Sequence, residues 1–307
     1  MHVLNYSKIS SYFASRTSAR IQIVRTTGLH SGMPFLGALR AAFGVSSESV
    51  PAECADCDLK CASASVTPHD YHILVRLPRE PEVAAATGPT WWPDTLGDRL
   101  APFEGILDEK KRIKATAFEY PDEMPREFQH EAYVFARNRS ASKNHLVATG
   151  AAELVELVRR EILSMESRGT TNGDANKNGR KTYIVCAHMA RDARCGQRGP
   201  GIAKALASAS PGDTVLLSSH VGGHVYAGNL IVYGGGVASG TWFGGVHERN
   251  VPKLLAGIKD AELRGVDPAQ SEDLRPYWRG TSGRSKDEQA QFFAASRDIE
   301  DSIRFID

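Results

Sequence analysis

The chain has 307 residues, with 37 Lys and Arg against 36 Asp and Glu and a net charge of +1. So even a balance gives no polyanion-binding surface at whole-chain level, and nothing in it calls for nucleic acid. Hydrophobic residues make up 41% and charged residues 24%, the composition of folded globular protein, and no run approaches the roughly 18 apolar residues that span a bilayer.

The length allows two domains at roughly 100–200 residues each. Residues 1–46 stand apart first. No Asp or Glu precedes Glu48, while Lys8, Arg16, Arg20, Arg25 and Arg40 are set among Ser and Thr. Acid-free leaders rich in Arg and Ser have the composition of organellar transit peptides. The segment is read as a mitochondrial targeting leader; the alternative is a basic arm on a cytosolic protein.

Residues 47–166 carry Cys54, Cys57 and Cys61 as C-x2-C-x3-C, with His69 and His72 shortly after. Three thiolates and one imidazole can hold zinc; free thiols, or a redox-active Cys54–Cys57 pair, fit the same spacing. An odd total of five cysteines argues against a secreted disulfide framework. Tyr71–Leu77 reads as an apolar strand, and Leu154, Leu157, Val158 and Ile162 recur at helical spacing across 151–165. The Pro-rich stretch around Trp91 and Trp92 takes no assignment. Residues 167–180, rich in Gly and Asn, read as a flexible linker.

Beyond it the pattern sharpens. Lys181–Cys186 is a β-branched strand, and Pro200 is expected to open a helix over Gly201–Ser208. Asp213–Ser219 is a second strand, followed by the loop HVGGHVYAGN. Asn229–Tyr233 and Thr241–Val246 read as an antiparallel pair. Asn250 is placed to cap a helix with Pro252 in its first turn and Leu254, Leu255 and Ile258 on one face. The order over 181–265, βαβ then ββ then α, is thioredoxin-like, and 266–307 is left as a C-terminal tail.

Eight residues separate Cys186 from Cys195, and three separate His220 from His224. Two thiolates and two imidazoles suffice for one metal site, either tetrahedral zinc or a [2Fe–2S] cluster. The wide cysteine spacing suits a dinuclear cluster better than a zinc finger, and Gly222 and Gly223 allow the backbone to turn tightly between the histidines. Buried thiols and polar loop histidines are the plain alternative. His188 is read as a hydrogen-bonding residue rather than a ligand, and His247 as structural. Arg191, Arg194 and Arg198 would support a reduced centre or dock an acidic donor protein, or belong to a solvated loop with one Arg paired to Asp192.

CAHMARDARCGQRGPGIAKAL (Cys186–Leu206) followed by SHVGGHVYAGNLIVY (Ser219–Tyr233) resembles the sucrase/ferredoxin-like family, and within it the bis-histidinyl thioredoxin-like ferredoxins. Their C-x8-C and H-x3-H pairs fall on Cys186, Cys195, His220 and His224; Arg191–Asp192 and Gly199–Pro200 match as well. YWRGTSGRSKDEQ (Tyr277–Gln289) resembles the family's tail, and WWPDTL (Trp91–Leu96) is the best match in the first half. Met189 departs from the glycine of the family pattern. The resemblance implies an α/β protein with two thioredoxin-like domains, the N-terminal one (47–166) degenerate and the C-terminal one (181–265) a ferredoxin. It implies a [2Fe–2S] cluster on Cys186, Cys195, His220 and His224. With both imidazoles neutral, the oxidised charge would sum to zero, which raises the potential relative to all-cysteine ligation. The second nitrogen of each imidazole would couple electron and proton uptake. The expectation is an electron carrier rather than an enzyme, since the chain has no flavin or nicotinamide fingerprint, served by a redox partner protein. The alternatives are a metal-stapled subunit of a larger mitochondrial complex and a thiol–disulfide oxidoreductase using Cys54 and Cys57.

Overall fold

The computed structural model describes residues 64–77, 92, 96–107, 111–121, 130–136, 145–168, 180–234 and 236–294. The basic leader, Cys54, Cys57, Cys61, Trp91 and most of the 167–180 segment lie outside the described residues.

Strand β1 (Tyr71–Arg76) is buried at every position, so its two faces both meet protein. It runs parallel to β2 (Ile113–Glu119) and antiparallel to β3 (His130–Phe135), which pairs with β4 (His145–Ala148). Helix α1 (Leu96–Glu104) crosses from β1 to β2, and α2 (Ala151–Ser167) follows β4. The buried stripe of α2, Leu154, Val158, Ile162 and Met165, packs on Tyr71, Ile73, Val75, Ala132 and Val134. Burying such a stripe is worth about 1.5–3 kcal/mol per large side chain.

The second half repeats the plan. β5 (Thr182–Cys186) leads through α3 (Ala193–Ala209) to the parallel strand β6 (Thr214–Ser218). β7 (Leu230–Tyr233) pairs antiparallel with β5, β8 (Thr241–Phe243) with β7, and α4 (Val251–Arg264) follows. Each half is therefore a β-α-β-β-β-α unit, the thioredoxin-like arrangement. In the second half this is the order expected from sequence. In the first half only β1 and α2 were expected; Glu131 inside β3 hides its pattern, because that charge is buried with partners.

The halves join where β2 pairs antiparallel with β6, through Phe118–Ser218 and Glu119–Leu217. One sheet of nine strands results, in the order β4-β3-β1-β2-β6-β5-β7-β8-β9, with β9 (Trp278–Thr281) at its edge. The sheet does not stay flat. Phe135 of β3 stacks on Tyr233 of β7 with ring centroids 4.4 Å apart, whereas the intervening strands of a flat sheet would hold them roughly 24 Å apart at the usual strand spacing. The inner faces of the halves thus close over a shared core containing Leu74, Phe118, Ile184, Leu216, Ile231 and Trp242.

Three local expectations change. The helix expected from Pro200 begins at Ala193, and Pro200 lies inside it. Asp192 sets the earlier start: its carboxylate accepts from the Arg194 N–H at 2.9 Å, an N-cap strong enough to place a turn ahead of the proline. Asn250 makes no side-chain cap; the 3-10 turn Glu248–Asn250 runs directly into α4. The tail contributes β9 and a helix over 286–294. Among the described residues no helix is long and apolar enough to cross a membrane.

Candidate metal centre

The site forms where the β5-α3-β6 crossover delivers three side chains to one end of the sheet. Cys186 is the last residue of β5, held there by its N–H to the Asn229 carbonyl at 3.0 Å. Cys195 stands in the first turn of α3. His220 follows β6 by two residues, its N–H donating to His188 Nδ1 at 3.2 Å. Gly199 brings the helix this close: a Cβ there would sit 2.6 Å from the Ala187 Cβ and 2.9 Å from the Cys186 carbonyl.

Both cysteines are free thiols, and both are buried. Cys186 receives hydrogen bonds from the Cys195 thiol, the His220 ring and the backbone N–H groups of Val221 and His188, which together hold its thiol well below the usual range against the cost of burial. Cys195 moves the other way. Its bond to the Cys186 sulfur, then burial, push its thiol up, while the Gly228 N–H opposes the shift. The two thiols titrate as a pair, with Cys186 the more acidic member. N–H donors aimed at sulfur favour thiolate over thiol, as a metal does, and they are among the features that set iron–sulfur potentials.

His224 opens a 3-10 turn, His224–Tyr226, entered from Gly223 in the left-handed conformation at φ 66°. Its backbone is therefore four residues from His220 on the same loop, and its side chain lies outside the described residues. Three of the four expected ligands are in direct contact, with the fourth carried on the loop that follows. Among the described residues no group of three or more His, Cys, Asp or Glu forms a ready metal site, so the donor set stands as a linked thiol–thiol–imidazole cluster.

His188 behaves as a brace. Its Nδ1 takes the His220 N–H, its ring meets Trp92 edge-on at 5.4 Å, and burial lowers its pKa. His247, the residue preceding the Glu248–Asn250 turn, is half-buried. Of the loop arginines, Arg194 pairs with Asp192 at 2.9 Å, Arg198 donates to the Ala227 carbonyl at 3.1 Å, and Arg191 is exposed. His69 and His72 are buried between the halves. Burial lowers both, His69 to about 4, and His72 is bonded to Thr116 Oγ1 at 3.0 Å and to the Tyr233 hydroxyl at 3.3 Å. The zinc reading that joined them to Cys54, Cys57 and Cys61 rests on cysteines outside the described residues.

Sequence reasoning missed Arg279. It is 2% exposed and reaches from β9 to the ligand loop, donating to the Gly222 carbonyl at 3.3 Å and to Asn229 Oδ1 at 2.6 Å. Its only sequence signal was membership of the Tyr277–Gln289 segment.

Two thioredoxin-like units, one presenting paired thiols and an imidazole at a strand end, define the class, and the chain belongs to the sucrase/ferredoxin-like family, which it matches over residues 63–280. Among curated proteins, altered inheritance of mitochondria protein 32 of Saccharomyces cerevisiae (strain ATCC 204508 / S288c) is 34% identical over 89 residues, 26% of this chain and 29% of that protein. The protein of the same name from Saccharomyces kudriavzevii is 36% identical over 89 residues, with the same shares. The matched segment spans less than a third of these relatives' length. No solved structure matches the chain.

Proposed function

We propose that the protein carries electrons on a [2Fe–2S] cluster held by Cys186, Cys195, His220 and His224. The observation that carries the reading is the buried contact of Cys186 with both Cys195 and His220, with three backbone N–H groups directed at the two sulfurs. These donors fit the group chemically: a thiolate already favoured over its thiol, a second thiol beside it, and an imidazole within hydrogen-bonding reach. When bound, the cluster would supply reversible one-electron exchange with a partner redox protein. The chain's part is to keep both sulfurs dry, to orient His220 through His188, and to accept a proton on a histidine nitrogen not bound to iron. Reduction makes the site more negative and favours that proton, so the midpoint potential is expected to fall as pH rises.

Residues 47–166 and 181–265 are the two domains of this reading, joined by 167–180, with 1–46 directing the chain to mitochondria. The relatives' name, which refers to mitochondrial inheritance, and the acid-free leader both favour that location. The thiol–disulfide alternative would leave the cluster positions without a common role; the metal-stapled subunit would use the same four ligands around zinc.

Anaerobic purification of the full chain decides among these. The expected result is visible charge-transfer absorption with two irons per chain, lost in Cys195→Ala and His220→Ala. Stoichiometric zinc without iron, after a reconstitution attempt with iron and sulfide, would defeat the proposal. Disulfide exchange that survives Cys195→Ala but not Cys57→Ser would favour the oxidoreductase.

A further inference from the structure

A buried guanidinium ordinarily faces a carboxylate, because an unpaired interior charge costs several kcal/mol in lost hydration. Arg279 departs from this. It is 2% exposed, and its hydrogen-bond partners among the described residues are neutral: Ser65 Oγ at 3.1 Å, the Gly222 carbonyl at 3.3 Å and Asn229 Oδ1 at 2.6 Å. Its remaining contacts are the rings of Tyr226 at 4.9 Å and Trp242 at 5.8 Å. Burial lowers its pKa to about 10, and among the described residues the Cys186 and Cys195 sulfurs are near enough to oppose that shift.

Lys114 adds to the same field. Its ammonium stands 5.7 Å from the Trp242 ring centroid; burial lowers its pKa, the Glu104 carboxylate opposes that, and Arg279 and Cys186 act on it after these. Two cations thus share one aromatic ring next to the paired thiols. The placement of Arg279 also shapes the loop between the histidines. Gly223 has φ 66°, and a Cβ there would fall on the guanidinium, so the loop closes around Arg279 and leaves no room for a side chain.

We propose that Arg279, with Lys114 beside it, is the charge-compensating and loop-positioning residue of the candidate centre: it offers the counter-charge for an added electron and holds the Gly222–Gly223 turn that carries His220 and His224. The inference rests on the cluster reading above. A positive charge fixed in a low-dielectric interior favours the reduced, more negative state and so raises the potential.

The test uses the full chain with iron and sulfide quantified and the midpoint potential measured by equilibrium titration, for wild type, Arg279→Lys and Arg279→Gln. Arg279→Gln is expected to shift the potential to more negative values, and Arg279→Lys to stay near wild type. Both are expected to lose iron faster to a chelator, because neither keeps the full fork on Gly222 and Asn229. A fully loaded Arg279→Gln with wild-type potential overturns the inference while leaving the cluster reading intact; absence of iron in the wild type defeats the cluster reading itself. Equal shifts in the Lys and Gln variants would also overturn it, since the charge would then not be the cause. Should Arg279→Gln fail to fold, Lys114→Gln decides: a smaller negative shift supports the field of paired cations, and none overturns it.

Discussion

The two halves of the molecule use the same strand end in opposite ways. Val75 pairs with Ala117 and Ala132 as Val185 pairs with Leu217 and Leu230. Carrying that register forward sets Arg76 where the second half has Cys186, Glu131 where it has Asn229, and Tyr120 where it has His220. In the first half these residues close on themselves. Glu131 accepts from Arg76 at 2.9 Å, from the Tyr120 hydroxyl at 3.0 Å and from His145 at 3.0 Å, and Arg76 also meets Glu119 at 3.5 Å. In the second half the same positions hold a thiolate, an amide and an imidazole, with Cys195 and Arg279 brought in from α3 and β9. A network that satisfies its own charges is a structural end. A set of soft donors beside a cation with no carboxylate partner among the described residues is what the proposed cluster would use. In that physical sense the first thioredoxin-like unit is degenerate: an ion-pair network occupies the positions that match the candidate ligands.

The largest expected effect tests whether the halves are one cooperative body. Phe135→Ala removes the ring stacked on Tyr233 across the shared core and is expected to cost about 3–5 kcal/mol. Because that ring stack bridges the halves, thermal unfolding followed separately by circular dichroism and by absorbance of the proposed cluster should shift together. Loss of stability with the cluster signal melting at its original temperature would show the halves to be independent.

Next comes Glu131. Burial alone would raise its carboxyl; the His145, Tyr120 and Arg76 contacts more than offset this and hold its pKa at about 2. The folded value lies below the usual carboxylate range, so the stabilisation is complete above about pH 4.5 and is lost as pH falls through about 2. A shift of that size corresponds to at most about 3 kcal/mol, and to less once solvent screening of the network is allowed for. Glu131→Gln is expected to lower stability at pH 7 by that order and to flatten the acid limb of a denaturation-versus-pH series, with iron content unchanged. Iron loss in this variant would break the contrast between a structural network and a binding site.

The smallest effect sharpens the second half. Gly199→Ala pushes α3 off the Cys186–Ala187 backbone and is expected to cost about 1–3 kcal/mol as overpacking. Displacement of Cys195 should make the variant lose iron to chelator several-fold faster. Unchanged iron loss would mean that the helix position does not govern the site.

Much of the second half was legible because local patterns carry it. Tyr183, Ile184 and Val185 give a strand that needs no partner to be recognised, and the stripe on α4 shows at helical spacing. Lys114 in β2 and Glu131 in β3 had the opposite effect, since charged residues inside strands look like loop until their tertiary partners are known. The start of α3 was misplaced for a similar reason: proline advertises a helix start strongly, and the cap at Asp192 is quieter in the sequence.

The amino-acid sequence by itself determined the chemistry on offer, namely two thiols, two imidazoles, the glycines between them and the helix face of α2, because these depend on residue type and short spacing. Only the tertiary structure decided which groups meet. The pairing of β2 with β6, the curl that stacks Phe135 on Tyr233 and the reach of Arg279 from β9 to Gly222 all join residues far apart in the chain. Such contacts are set by burial summed over both halves and by sheet register, and no local window of sequence contains either. The family resemblance implied two thioredoxin-like units; the ion-pair network that the first one carries at the positions matching Cys186, Asn229 and His220 appears only once those registers are known.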